Sequence, residues 1–185
     1  MGLATFDRRA NVSDIVDAVD AFMATPKRIV GYKSPPPWGP GFTPNELETK
    51  YPLEIEGELR GSRLMIIGFP RERQLTFRIG ILFPAMICRL DYTDETHVNS
   101  VDGYLSGKVP EQVTGPHYHS WSLNRRFFRR MSNATQLRDA VPFSEPGRTF
   151  DAILRWFCSD TNIEQLPPDH LIALPSASTL YEYLG

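Results

Sequence analysis

The sequence predicts an α+β fold: a helix near the start, an antiparallel β-meander in the middle and a second helix towards the end. Three observations predict it. Ile15, Val16, Val19, Phe22 and Met23 recur at helical spacing, four short apolar runs follow one another between Tyr51 and Tyr92, and Phe150, Ile153, Leu154 and Phe157 again share one helical face. Short strands with short connections favour antiparallel pairing, and helices set apart from the strands favour α+β. The 185 residues suit a single domain spanning 1–185.

The first helix is expected from Asn11 to Thr25. Asn11 or Ser13 would cap it, and Asp14 and Asp17 sit early, where the helix dipole favours negative charge. Pro26 ends the pattern. A proline-rich loop is expected at about 32–52, because five prolines in YKSPPPWGPGFTPNE remove donors and fix φ. Trp38 and Phe42 are its expected anchors. The strands are expected in LEIEGELR, RLMIIGF, QLTFRIGIL and AMICRLDY, broken at Gly61-Ser62, Pro70 to Arg73, and Pro84. Thr114 to Leu123 would add a strand, and Gly147 to Ser159 the second helix. A tail at about 164–185, with the segment STLYEYL, completes the chain.

Net charge is −2, with 41% hydrophobic and 23% charged residues. That balance excludes a uniformly basic nucleic-acid coat and an acidic disordered tail. Two cysteines exclude a disulfide framework and a four-cysteine zinc site. Cys88 sits in an apolar strand and reads as inert, and Cys158 has no activating base in view. No apolar run reaches the roughly 18 residues of a membrane span, and the first residues lack a signal-peptide apolar region, so a cytoplasmic protein without membrane contact is expected. Walker A, GxGxxG, HExxH and GxSxG motifs are absent.

Three of the four histidines fall between residues 97 and 119. On a strand, His117 and His119 share one face because side chains alternate with period two, and Trp121 rejoins that face. Arg89 and Asp91 share a face of the strand before. A meander would bring Arg89, Asp91, His97, His117 and His119 together. Two chemistries fit such a cluster. The three histidines could ligate zinc or another divalent transition metal, with Asp91 or Asp94 as a further ligand or an orienting partner. Alternatively, without any cofactor, one histidine acts as base and another as acid, with Arg89 or Arg125 on a phosphoryl oxyanion. A purely packing role is also open: His117 on a loop carbonyl, His119 beside Trp121, Asn99 and Gly103 as turn residues.

The run Asn124-Arg125-Arg126-Phe127-Phe128-Arg129-Arg130 follows directly. On a helix, Arg125 and Arg129 share one row, and Arg126 and Arg130 the next. That face could grip phosphates through Arg125, Arg126 and Arg129, with Trp121 and Phe128 stacking on a base. It also fits a solvated basic face whose aromatics fill the core. His170, after Pro167-Pro168, is expected at the surface.

Arg89-Leu90-Asp91, His97-Val98-Asn99 with Asp102-Gly103, and Gly115-Pro116-His117-Tyr118-His119 together resemble an uncharacterised family of small bacterial and phage proteins. Its signature runs RLD, HxN, DG and GPHxHxY, then a helix ending near Asn162-Ile163, and covers roughly residues 53 to 163. Trp121 stands where that family carries tyrosine, and the spacer from Gly103 to Gly115 is longer. The resemblance implies a site and no particular activity. A weaker likeness is to the layout of ubiquitin-conjugating domains. Val98 replaces the proline of their HPN stretch, and no cysteine follows His97 at short distance, which argues against conjugating activity.

These readings lead to one expectation and two alternatives. The expectation is a histidine-based phosphodiester hydrolase, ribonuclease-like, of a toxin or phage-defence kind, with RNA or another phosphate-bearing ligand as partner. The first alternative is a non-catalytic module that engages a protein or nucleic acid through the proline-rich loop and the arginines. The second is a metal-dependent hydrolase on His97, His117 and His119.

Overall fold

The structure is a computed structural model, and it describes residues 12–33, 36–71, 75–83, 85–128, 137–144, 149–164 and 172–176. Arg129, Arg130, His170, the segment STLYEYL and the capping side chains expected at Asn11 or Ser13 lie outside the described structure. The elements run α1 (Val12–Ala24), β1 (Arg28–Ile29), β2 (Gly39–Pro40), β3 (Leu47–Ile55), β4 (Glu58–Gly68), β5 (Phe77–Leu82), β6 (Met86–Tyr92), β7 (Thr96–Val98), α2 (Val101–Leu105), β8 (Gln112–Thr114), β9 (His117–His119), α3 (Trp121–Phe128), β10 (Val141–Pro142) and α4 (Phe150–Asp160). The fold is α+β, as the periodicities predict.

An antiparallel sheet runs β1-β3-β4-β5-β6-β9-β10, with β2 also on β3. Strands β3 to β6 form the meander. The chain then leaves the sheet as a small ribbon of β7 and β8 bridged by α2, and returns as β9 against β6. Several boundaries differ from the sequence reading. LEIEGELR is not one strand: it holds the hairpin turn at Glu56-Gly57, with φ of 51° and 81°. A two-residue turn with both φ positive matches the twist of the strands it joins. Gly61-Ser62 therefore lies inside β4 rather than between strands. The proline-rich loop ends earlier than expected, because β3 begins at Leu47, and Pro52 is accommodated beside a register shift in β3. Trp38 is buried, but Phe42 is 99% exposed and anchors nothing.

The sheet has two unlike faces. Tyr51, Leu64, Ile66, Phe77, Ile79, Ile81, Leu90 and Tyr118 alternate onto one face and belong to the core. Each such large side chain, fully buried, contributes roughly 1.5–3 kcal/mol. Helices α1 and α4 cover this face: Phe22 stacks on Phe83 at 4.2 Å, Phe77 meets Phe150 edge-on at 4.9 Å, and Tyr118 meets Trp156 at 5.1 Å. Lys27, just past α1, is fully buried, and its ammonium donates to the carbonyls of Phe22 at 2.8 Å and Thr25 at 2.7 Å. It thus satisfies the carbonyl end of the helix. The opposite face carries Arg78, Gly80, Arg89, Asp91, His117 and His119, and the candidate site is built there. Among the described residues, no helix is long and apolar enough to cross a membrane.

Candidate functional site

Register places the first four groups. Arg89 lies opposite His119 and Asp91 opposite His117 across the β6–β9 pair. With period two, all four side chains rise from the same face. His97 arrives from β7. The ring centroids lie 4.5 Å (His97–His119), 5.1 Å (His117–His119) and 5.5 Å (His97–His117) apart. Arg89, Asp91, His97, His117 and His119 therefore meet, as the sequence suggested.

Asp91 is the centre. It is 1% exposed and accepts two bonds from Arg89, Nε at 2.7 Å and Nη2 at 2.6 Å. Arg78 Nε stands 3.6 Å from Oδ1. His117 Nε2 lies 3.2 Å and His119 Nε2 3.5 Å from Oδ2. Burial alone would push the carboxyl up, but His117, His119 and the Arg89 guanidinium override it and hold Asp91 well below the usual carboxylate range. The histidines diverge. Burial works against the charged form of both. At His117 it is outweighed by Asp91 and the Gly115 carbonyl, so its pKa is raised. At His119 burial wins, and its pKa is lowered.

Each ring also has one nitrogen on a backbone carbonyl. His117 Nδ1 donates to Gly115 O at 2.7 Å, His119 Nδ1 to Asp139 O at 3.2 Å, and His97 Nε2 to Arg138 O at 3.0 Å. The loop-carbonyl bond expected for a packing role of His117 is thus present. His119, instead of packing beside Trp121, has its ring contacts with His97 and His117.

The segment 138–140 is a strap, and two buried asparagines pin it. Asn99 Oδ1 accepts from Ala140 N at 2.6 Å, and its Nδ2 donates to Ala140 O at 2.9 Å and Pro110 O at 2.8 Å. Asn124 Oδ1 accepts from Asp139 N at 2.9 Å, and its Nδ2 donates to Asp139 O at 2.8 Å. The Asp139 carboxylate accepts from Ser100 N at 3.0 Å and pairs with Arg126. Gly103 packs so closely that a Cβ there would stand 2.7 Å from Asp139 Oδ2. Asn99 and Gly103 are therefore more than turn residues. Asp139 and Asn124 carried no signal in the sequence, since their roles arise only when distant segments meet.

Two arginines of the cluster are placed by ion pairs. Arg125 faces α1, where its guanidinium grips both carboxylate oxygens of Asp20. Arg126 is held by Asp139 and lies over the Phe127 ring, 4.7 Å from its centroid. Each of these guanidiniums is thus paired with a carboxylate of the chain. The stacking residues are corrected. Trp121 does not continue β9; it opens α3, is 5% exposed and donates from Nε1 to Asp20 Oδ1 at 2.7 Å. Phe128 packs edge-on against it at 4.8 Å. Both serve the core. Arg129 lies outside the described residues.

His97, His117 and His119 each present a ligand atom, all within 4.8 Å of one another, and among the described residues this is the one such group. A cavity of about 420 Å³ opens beside His97, lined also by Asn99, Ser100, Asp102, Phe127 and Arg138, while His117 and His119 stay buried behind it. A comparison with known families, characterised proteins and solved structures found no match to this chain.

Proposed function

We propose that the protein is a phosphodiester hydrolase, ribonuclease-like, acting where His97, His117 and His119 meet the Arg89–Asp91 pair. The observation that supports this reading is that convergence, which reaches an open cavity at His97. RNA carries its own nucleophile. The cluster would take the 2′-hydroxyl proton, the 2′-oxygen would bond to phosphorus as the bond to the 5′-oxygen breaks, and that leaving oxygen would take up a proton. Water would then open the resulting cyclic phosphate. Arg89 suits the developing negative charge: Asp91 engages its Nε and Nη2, leaving Nη1, and its side chain is one-third exposed.

The test is cleavage of an RNA oligonucleotide and of its 2′-deoxy counterpart by the wild-type chain and by the His117→Ala, His119→Ala double variant. Thermal unfolding of each sample runs alongside. RNA should be cut and the deoxy strand spared, with turnover falling about 10²–10⁴-fold in the folded double variant. An intact RNA strand after incubation with wild type, or equal turnover in the double variant, would refute the proposal.

A further inference from the structure

We propose that His97, His117, His119 and Asp91 form a binding site for a divalent transition metal, with Nδ1 of His97, Nε2 of His117, Nε2 of His119 and Oδ2 of Asp91 as its ligands. The inference does not rest on the hydrolase reading. It rests on which atoms face inward.

A carbonyl accepts only, so each ring nitrogen bonded to one must carry a hydrogen. That fixes the hydrogen on Nδ1 of His117, Nδ1 of His119 and Nε2 of His97. In the neutral rings the opposite nitrogens are lone pairs: Nε2 of His117 and of His119 both face Asp91 Oδ2, and Nδ1 is the nitrogen His97 has left for the group of three ligand atoms within 4.8 Å. Metal-bound histidines show this arrangement: the outer N–H held by a carbonyl or carboxylate, the inner lone pair on the ion. Three rings oriented this way are hard to explain as packing, because packing sets no common direction for the lone pairs.

The inner atoms are otherwise badly matched. His119 Nε2 is fully buried and has no hydrogen-bond partner. It faces Asp91 Oδ2, itself an acceptor, at 3.5 Å. Buried acceptors facing one another are costly unless a cation lies between them. A proton on His117 relieves only the 3.2 Å contact of that ring with Oδ2. A metal ion relieves both. At Asp91 the spacing agrees: with metal–ligand bonds of about 2.0–2.1 Å, neighbouring ligands of a tetrahedral ion stand about 3.3–3.4 Å apart, and the two nitrogen–oxygen separations are 3.2 and 3.5 Å; the histidine ligand atoms, within 4.8 Å of one another, would draw together on the ion. Imidazoles with one carboxylate suit zinc, and also iron, nickel or copper. Asp91 would ligate through Oδ2, which also accepts from Arg89 Nη2 at 2.6 Å, while Arg89 Nε holds Oδ1. The cavity beside His97 leaves room for water or substrate next to the ion.

The test uses the full chain, stripped with a chelator and dialysed, then titrated separately with zinc(II) and cobalt(II). Elemental analysis, thermal unfolding and the visible spectrum of the cobalt form are the readouts. One ion per chain, a raised unfolding temperature and the strong visible bands of low-coordinate cobalt are expected. His97→Gln, at the half-exposed rim, should fold normally yet bind about 100-fold more weakly, and His119→Gln should abolish binding. No ion bound by the wild type, or equal affinity in His97→Gln, would overturn the site. The hydrolase reading fails separately: stoichiometric metal with RNA left intact removes the reaction and keeps the site, whereas RNA cleavage by a wild-type chain that takes up no ion keeps the reaction and removes the site.

Discussion

Asn99 offers the sharpest test of how the site is held. Its side chain is 5% exposed and makes three bonds, accepting from Ala140 N and donating to Ala140 O and Pro110 O. Asn99→Ala removes all three and leaves one backbone N–H and two carbonyls without partners. At about 1 kcal/mol net per bond, the loss should be at least about 3 kcal/mol, and more for each buried group left stranded. Asn99→Asp keeps the shape and replaces the donor with an oxygen facing two carbonyl oxygens, so it should cost at least as much near neutral pH. Urea denaturation reads this as a lower midpoint with an unchanged slope. The strap also fixes the outer N–H of His97 and His119, so the metal affinity of the folded Ala variant should fall about 10–100-fold. A stability loss below about 1 kcal/mol, with metal affinity unchanged, would show that the strap is held by something else.

Gly103→Ala should destabilise by about 1–3 kcal/mol, because the new Cβ would force the Asp139 carboxylate and Val109 apart; an unfolding midpoint equal to wild type would contradict the close approach. Burial pushes the Cys88 and Cys158 thiols up to about 12, so a thiol reagent near pH 8 should label neither in the native protein and both after denaturation; rapid native labelling would place one of them at the surface. Lys27→Met should cost about 2 kcal/mol at pH 7, since charged donors to buried carbonyls are lost. Burial lowers the Lys27 pKa from 10.5 to about 8. Between those values the unfolded chain binds more protons, so this group makes stability rise with pH across that window. The wild-type curve should show that rise relative to Lys27→Met, and parallel curves would argue against the lowered value.

What the sequence made legible follows from the distance over which each interaction is decided. His117 and His119 face Asp91 and Arg89 because alternation and one strand pairing suffice to put them there. The arginine cluster fails the same kind of reading. Arg125 finds its carboxylate 105 positions away at Asp20, and no local pattern announces that a charge on α1 will neutralise it. Trp121 misled for a subtler reason. HYHSW alternates like a strand, but Ser120 Oγ accepts from Leu123 N at 3.3 Å and its carbonyl from Asn124 N at 3.3 Å, so a helix starts where alternation predicts continuation. A serine that offers the backbone a local partner competes with the ladder, and here it wins.

The same division runs through the site itself. Which residues converge is set by β6 and β9, and was readable. Which nitrogen of each ring faces inward is set for His97 and His119 by the carbonyls of Arg138 and Asp139, delivered by a segment that Asn99 and Asn124 hold from two sides. For His117 it is set locally, by Gly115 two residues earlier, whose φ of 85° turns the chain just before β9. Side-chain identity therefore makes the cluster possible, but its ligand character comes from backbone carbonyls, which look alike in any sequence. A substitution at Arg138, whose side chain is exposed and whose carbonyl persists, should leave metal affinity near wild type. A proline in place of Ala140 should not, because it removes the N–H that Asn99 holds. A metal titration of Arg138→Ala beside Ala140→Pro separates the two cases, and a large affinity loss in Arg138→Ala would mean that the side chain, rather than its carbonyl, supports His97.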